Sequence, residues 1–273
     1  MSITNELSLL VSSDTTQGAT NKSSDGAYFE VNLGTDGVKI PAKAFNTTLS
    51  VEEAVIWWTV PNFISGQNNS LQVIGPRALD AKTTTYNITI PQGLYDLSGF
   101  NTAVLRELEN AGATTSPEPI VSFLADEATQ KVICRLNYLA SSVVFIAGSP
   151  YEILGFNLNQ TLSTVAPPQN ILAPNVANFN TVNYFLIHSS LTSLGIRFNN
   201  TYSQTISQVL IDVSPGSQIV SKPFNPAKVP VPELNGENKS NLRFWLTDDK
   251  NRYVNTNGEN WSCRIVIKWN EPI

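Results

Sequence analysis

The sequence has few charged residues, a single histidine and only two cysteines. Asp, Glu, Lys and Arg make up 14% of its 273 residues, whereas about 25% is usual for a globular chain. Neutral hydrogen-bonding residues replace them, since the chain has 29 Asn, 26 Ser and 24 Thr. These residue types favour turns and sheet surfaces over helix interiors. The composition therefore predicts a mainly β protein.

These shortages exclude several classes of function. One histidine and two distant cysteines, Cys134 and Cys263, cannot build a Cys/His zinc site, and we expect two buried free thiols. A net charge of −5 without any run of Lys or Arg argues against direct binding to nucleic acid. No segment approaches the roughly 18 apolar residues of a membrane span, and we see no secretory signal. We expect a protein made inside a cell.

The pattern of apolar and turn residues divides the chain into three regions. Residues 1–27 are polar, with Leu7, Leu9, Leu10 and Val11 as an apolar group, which predicts a flexible N-terminal arm. Residues 28–80 and 170–273 contain short alternating runs separated by turns, which predict an antiparallel β-sandwich. The predicted strands are Tyr28 to Leu33, Val51 to Val60, Leu71 to Ile74, Tyr184 to Ser189, Leu194 to Phe198, Ile206 to Val213, Gln218 to Lys222, Leu242 to Thr247, Arg252 to Val254 and Ser262 to Trp269.

Residues 81–169 have a different pattern, which predicts a small α+β subdomain inserted into the sandwich. A helix capped by Ser98 places Phe100, Val104, Leu105 and Leu108 on one face and ends at Gly112. A second helix begins at Ser149-Pro-Tyr-Glu152, where the Ser hydroxyl and the Glu carboxylate fit a capping box. The predicted strands are Thr85 to Ile90, Ile120 to Ala125, Lys131 to Asn137 and Ser142 to Ala147.

No residue is predicted to be catalytic, to bind a cofactor or to bind a metal. His188 is followed by Ser189 and Ser190 but lies within a predicted strand, and the chain has no Gly-x-Ser-x-Gly motif. We therefore expect a structural, hydrogen-bonding histidine. The acidic and amide-rich stretch from Asp248 to Asn260 has oxygen ligands that suit calcium, but it does not match an EF-hand loop and favours a hairpin.

The five tryptophans indicate packing more than sugar stacking. Trp57 and Trp58 are consecutive in a predicted strand and must face opposite sides, so we expect one of them in the core. Trp245, Trp261 and Trp269 are predicted to pack rather than to stack on a carbohydrate. We do not expect an enzyme.

Five strings of residues carry a resemblance to a known family: Ile90-Pro-Gln-Gly-Leu-Tyr95, Leu154-Gly-Phe156, His188-Ser-Ser-Leu191, Leu242-Arg-Phe-Trp-Leu-Thr-Asp248 and Asn257-Gly-Glu-Asn-Trp-Ser262. In this order they resemble the penton-type minor capsid proteins of virophages, polinton-like viruses and adintoviruses. The resemblance covers about two thirds of the chain, from Thr83 to Trp269. It implies a jelly-roll sandwich, five copies of which close an icosahedral vertex between trimers of the major capsid protein.

The resemblance thus implies a structural virion protein, assembled inside the host cell. Its partners would be other copies of the same chain in a homopentamer, the major capsid protein and a host-cell receptor. The N-terminal arm would contact the neighbouring subunit or the major capsid protein. Two alternatives stay open: a receptor- or carbohydrate-binding β-sandwich module, and a hexon-like trimeric capsid protein.

Overall fold

The structure is a computed structural model that describes residues 2–115, 117–197 and 203–273. The chain forms two compact units, one built from Met1–Val60 and Val182–Ile273 and the other from Pro61–Thr181. The first is a β-sandwich and the second contains both helices and several short sheets. The predicted fold class, mainly β with an inserted α+β unit, is confirmed.

The elements of the two units follow one another along the chain, with the inserted unit between the strands Phe45–Trp57 and Tyr184–Ser189. The helices are α1 (Leu97–Asn110) and α2 (Tyr151–Leu154). The strands are β1 (Ser2–Ser12), β2 (Ala19–Thr20), β3 (Tyr28–Asn32), β4 (Val38–Lys39), β5 (Phe45–Trp57), β6 (Ser70–Pro76), β7 (Thr83–Thr89), β8 (Val121–Asp126), β9 (Lys131–Leu136), β10 (Ser142–Val144), β11 (Thr161–Ser163), β12 (Gln169–Leu172), β13 (Tyr184–Ser189), β14 (Thr205–Leu210), β15 (Gln218–Ser221), β16 (Val229–Pro230), β17 (Asn238–Lys239), β18 (Asn241–Thr247) and β19 (Ser262–Pro272).

The sandwich has the connectivity of a jelly roll. One sheet has the order β1-β19-β5-β15, and the other has the order β14-β13-β18-β3 with the short β2 at its edge. All neighbouring strands in both sheets are antiparallel. If these eight main strands are numbered in chain order, the sheets read 1-8-3-6 and 2-7-4-5, which is the jelly-roll order. The second unit is inserted between the third and the fourth of them.

Aromatic rings fill the space between the two sheets. Phe29 stacks on Phe244 with 5.5 Å between ring centroids, and Trp261 meets Phe29 edge-on at 4.9 Å. Trp58 meets Phe185 edge-on at 5.9 Å, so the prediction that one of the two consecutive tryptophans enters the core is confirmed. Such edge and offset contacts stabilise a core beyond the area that they bury.

The inserted unit has a core of its own. Its two sheets have the orders β11-β10-β6-β7 and β12-β9-β8. Helix α1 buries Phe100, Ala103, Val104 and Leu108, and Phe100 stacks on Phe63 with 5.0 Å between ring centroids. The buried side chains of this segment form a hydrophobic cluster that consists of residues between Phe63 and Ala173.

The predicted flexible arm over residues 1–27 is wrong. Ser2–Ser12 forms an edge strand that pairs with β19 over its whole length, without a break in register. The side chains of Leu7 and Leu9 are half-buried and that of Val11 is buried, as expected for alternate residues on the inner face of an edge strand. Residues 19–20 add a second short strand.

The predicted boundaries of the two domains also differ from the structure. We predicted a sandwich of residues 28–80 and 170–273 around a subdomain of 81–169, but the inserted unit spans 61–181. The strand at 70–76 pairs with β7 and β10, and the strand at 169–172 pairs with β9. Both strands therefore belong to the inserted unit.

Several local predictions of helix caps and strands are wrong. Asp96, not Ser98, caps α1, and its carboxylate accepts a hydrogen bond from the Gly99 N–H. The hydroxyl of Ser149 donates to the Ile146 carbonyl, so α2 begins without the predicted capping box. Residues 252–254 form one isolated bridge instead of a strand. Residues 194–197 of the strand predicted from Leu194 to Phe198 are irregular, and Phe198 lies outside the described residues.

Candidate functional site

His188 lies in a buried hydrogen-bonded cluster on the sandwich. Its Nε2 is 2.7 Å from the Thr247 hydroxyl and its Nδ1 is 3.2 Å from the Thr205 hydroxyl. The imidazole stacks on Trp245 with 5.3 Å between ring centroids and almost parallel planes. Only 2% of the residue is exposed, which leaves no room for a substrate at the ring.

The electrostatics of His188 also point to a structural role. Burial lowers the pKa of His188 to about 4, because the desolvated ring disfavours the charged form. Two hydroxyls contact its nitrogens, and a triad would instead need a carboxylate as the orienting partner. The arrangement links β13, β14 and β18 in the neutral state.

The acidic stretch from Asp248 to Asn260 forms turns, as its composition predicts. The carboxylate of Asp248 accepts hydrogen bonds from the backbone N–H groups of Lys250 and Arg252, and it pairs with the Arg252 guanidinium at 2.7 Å. Its oxygens are therefore committed to closing the loop. In the described part of the chain, no three His, Cys, Asp or Glu side chains come together as a metal site.

Several of the strings that carry the family resemblance lie where a helix or a strand begins or ends. Gly93 bridges Phe63 at the point where β7 leads into α1, and Gly155 ends α2 with a left-handed backbone. The indole N–H of Trp261 donates to the Gly26 carbonyl at 3.1 Å just before β19. These residues fix turns and strand ends, and none of them forms a reactive cluster.

Both cysteines are buried in the two cores. Cys134 and Cys263 are free thiols, as the sequence predicts. Desolvation raises the pKa of both thiols, that of Cys263 to about 12. Neither is therefore suited to act as a nucleophile at neutral pH.

One lateral edge of the sandwich is the outer side of β1. In the described structure β1 pairs only with β19. The Ser13 N–H donates to the Trp261 carbonyl at 2.9 Å. Because the residues of an antiparallel strand face its partner alternately, the odd-numbered residues bond to β19. The backbone N–H and C=O groups of Thr4, Glu6, Ser8 and Leu10 therefore point away from the sheet.

Leu10 is the most exposed apolar side chain of this edge. It is 76% exposed and Ile3 is 55% exposed, and the other exposed side chains of the strand are polar. Glu6 is held by Lys268, 3.0 Å away. An edge strand of eleven residues without Lys, Pro or a bulge lacks the usual protection against strand addition.

The opposite edge of the same sheet carries a fully exposed phenylalanine. Strand β15 is four residues long, and β16 pairs with β5 further along. The connection between them contains Pro223, Phe224 and Pro226, and the Phe224 side chain is fully exposed. Phe224 is the most exposed large apolar side chain among the described residues.

A cleft lies beside this second edge. Its volume is about 430 Å³ and its walls include Tyr184, Leu186, Thr205, Gln208 and Pro223. The size falls within the range of small-molecule sites. Hydroxyl, amide and apolar side chains line the cleft together with one cationic residue, Arg197.

No helix in the described residues is long and apolar enough to span a bilayer. Comparison with protein-family models gives no match. No curated protein matches the sequence.

Among solved structures, the chain is similar to the crystal structure of the selenomethionine-labelled mavirus penton protein. The two share 9% sequence identity with a TM-score of 0.48, over 98% of this chain and 99% of that chain. The jelly-roll assignment above rests on the strand order of this chain itself.

Proposed function

We propose that this chain is a structural virion protein: a penton subunit that forms a homopentamer and closes the five-fold vertices of an icosahedral double-stranded DNA virus. Its main support is the jelly-roll connectivity, which is typical of viral capsid and lectin domains. The resemblance of its turn and strand-end sequences to penton-type minor capsid proteins points to the same role. The major capsid protein would be its neighbour in the virion.

The packed interior of the sandwich supports a function carried by its outer surfaces. Buried rings such as Phe29, Phe244 and Trp261 occupy the space between the sheets. Since these rings pack the space between the sheets, we expect partners to bind at outer surfaces of the sandwich. An assembling subunit needs only lateral surfaces, which the two exposed edges supply.

The scarcity of charge fits the same proposal. Surfaces that become buried between subunits carry a desolvation cost for each unpaired charge. The exposed side chains of β1 other than Leu10 are Ser, Thr, Ile and one Glu that is paired with Lys268. Such side chains can supply hydrogen bonds at an interface with little desolvation of net charge.

The test is the mass of the purified chain, measured by native mass spectrometry over a concentration series. We expect a species of five-fold mass, and its incorporation into particles when the major capsid protein of the same virus is added. A three-fold mass would instead indicate the hexon-like trimer. A chain that stays monomeric and is not incorporated would refute the proposal.

A second candidate function is binding to a carbohydrate receptor, and the cleft beside β14 favours it. Tyr184 offers a ring and Gln208 an amide to a sugar. The substitution Gln208→Ala would then abolish retention on a glycan array while leaving the native mass unchanged. Binding that is indifferent to this substitution would remove the candidate.

A further inference from the structure

We infer that the two opposite edges of the β1-β19-β5-β15 sheet meet between copies of the chain, so that Phe224 of one copy contacts Leu10 of the next. The partner is thus a second copy, arranged head to tail. The inference rests on the proposed function, because it names the contact through which a ring of subunits forms. The inference names the residues of that contact and its head-to-tail direction.

The first observation is that the two edges differ and that, among the described residues, no strand pairs with the outer side of either one. The β1 edge presents unpaired backbone groups over eleven residues and the exposed Leu10. The other edge presents the short β15 and the fully exposed Phe224. Two different surfaces that cover one another give a heterologous contact, which produces rings when the rotation closes.

The second observation is the direction of the edge strands. The sheet has four antiparallel strands, so its two edge strands run in opposite directions. When a second copy in the same orientation is placed beside the first, β15 of one copy therefore runs antiparallel to β1 of the other. The strands therefore stay antiparallel across the contact while both copies keep the same orientation.

The third observation is that the connection carrying Phe224 and the strand segment carrying Leu10 overlap in level along the strands. The ladder connects Ser221 through Ala54 and Cys263 to Val11. A rotation about an axis parallel to the strands leaves the level along the strands unchanged.

Further along the same sheet, the ladder connects Val229 through Leu49 and Ile267 to Leu7. The connection that carries Phe224 runs from Ser221 to Val229, so it spans the levels from Val11 to Leu7. Leu10 lies within that interval. The most exposed apolar side chain of each edge is therefore at a level at which we expect the two to come into contact in a ring.

A two-fold pairing of β1 with another β1 would satisfy the backbone groups of this edge but would leave Phe224 in water. The head-to-tail contact covers both exposed side chains. A two-fold pair also stops at two copies, whereas the head-to-tail contact can be repeated around a closed ring.

Cross-linking between single-cysteine variants tests the contact. The native cysteines are 0% and 1% exposed, so a thiol at position 10 or 224 is the reactive one. Leu10→Cys and Phe224→Cys are prepared separately, mixed in equal amounts and treated with a flexible bis-maleimide. We expect covalent dimers in the mixture and not in either variant alone. The untreated wild type and Leu79→Cys, an 87% exposed position in the inserted unit, are the controls.

The outcomes separate this inference from the proposed function. Dimers from Leu10→Cys alone would establish a two-fold pairing and overturn the head-to-tail contact. A five-fold mass without dimers in the mixture would overturn the inference and leave the penton proposal standing. A wild type that is monomeric at every concentration and is not incorporated into particles with the major capsid protein would overturn both.

A substitution provides a second measurement. Phe224→Ser is expected to raise the dissociation constant of the oligomer at least about tenfold, as removal of a central interface aromatic does. Leu79→Ser should leave the constant unchanged. An oligomer that is equally stable in both variants would contradict the contact.

Discussion

A proline placed at successive positions of β1 tests which backbone groups bond to β19. The Ser13 N–H bonds to the β19 side, and the direction of the backbone N–H groups alternates along the strand. We therefore predict that the Leu9 N–H bonds to β19 opposite Ile265, whereas the Ser8 N–H points outward. Leu9→Pro removes that bond and leaves a carbonyl unpaired. Ser8→Pro removes a donor that faces water, which edge strands tolerate.

The expected costs follow from these bonds. Leu9→Pro loses one net hydrogen bond, leaves an unsatisfied acceptor and trims a half-buried side chain, for a total of about 3 kcal/mol. Ser8→Pro should cost within about 1 kcal/mol, because the strand is already extended. With an m-value of about 2 kcal/mol/M, the first substitution lowers the urea midpoint by about 1.5 M.

Intrinsic tryptophan fluorescence is the right probe for this comparison. All five tryptophans, at 57, 58, 245, 261 and 269, belong to the sandwich. The signal therefore reports unfolding of that unit without interference from the inserted one. Equal midpoint shifts for the two variants, or a larger shift for Ser8→Pro, would refute the assigned alternation.

Three further outcomes are expected. Burial lowers the pKa of His188 to about 4 from 6.5, so the unfolded chain binds the proton first as the pH falls from 6.5 to 4. The free energy of unfolding of the sandwich therefore decreases by up to about 3 kcal/mol over this range. His188→Gln should abolish this decrease, which is checked by comparing the variant with wild type at pH 7 and pH 4.5. A Cβ on Gly26 would lie 2.1 Å from the Thr256 hydroxyl, whereas one on Gly18 would meet nothing within 4 Å although both have positive φ, so Gly26→Ala should lower the urea midpoint well beyond Gly18→Ala. Both native cysteines should resist a maleimide until urea unfolds the chain, and rapid labelling of the folded protein would contradict their burial.

Much of the sandwich could be predicted from the sequence because its strands alternate and end at turn residues. The strand from Tyr184 to Ser189 has the predicted bounds. Strand β1 escaped prediction because Leu10, an outward-facing apolar residue, interrupts the alternation of Leu7, Leu9 and Val11. Its polar composition resembles that of a disordered arm, and only the pairing with β19 distinguishes the two.

The exposure of Phe224 and the edge position of β1 could not be predicted from the sequence for a related reason. Nothing local marks Phe224 as exposed, since phenylalanine is usually buried and its neighbours are common turn residues. Which strand lies at an edge depends on the order of strands in the sheet, and that order is set by pairings between residues far apart in the chain. His188 was predictable as a structural residue, but its partners Thr205 and Thr247 come from other strands.

The pairing of β1 with β19 determines the order in which the chain can fold during synthesis. The strands of the inserted unit pair only with one another within residues 61–181, so that unit can fold while the ribosome is still making the rest. Strand β1 is made first, yet its partner is residues 262–272. Such long-range closure is slow and leaves edges exposed in the meantime. The nascent sandwich therefore depends on its final strand, and it is most vulnerable to aggregation just before that strand arrives.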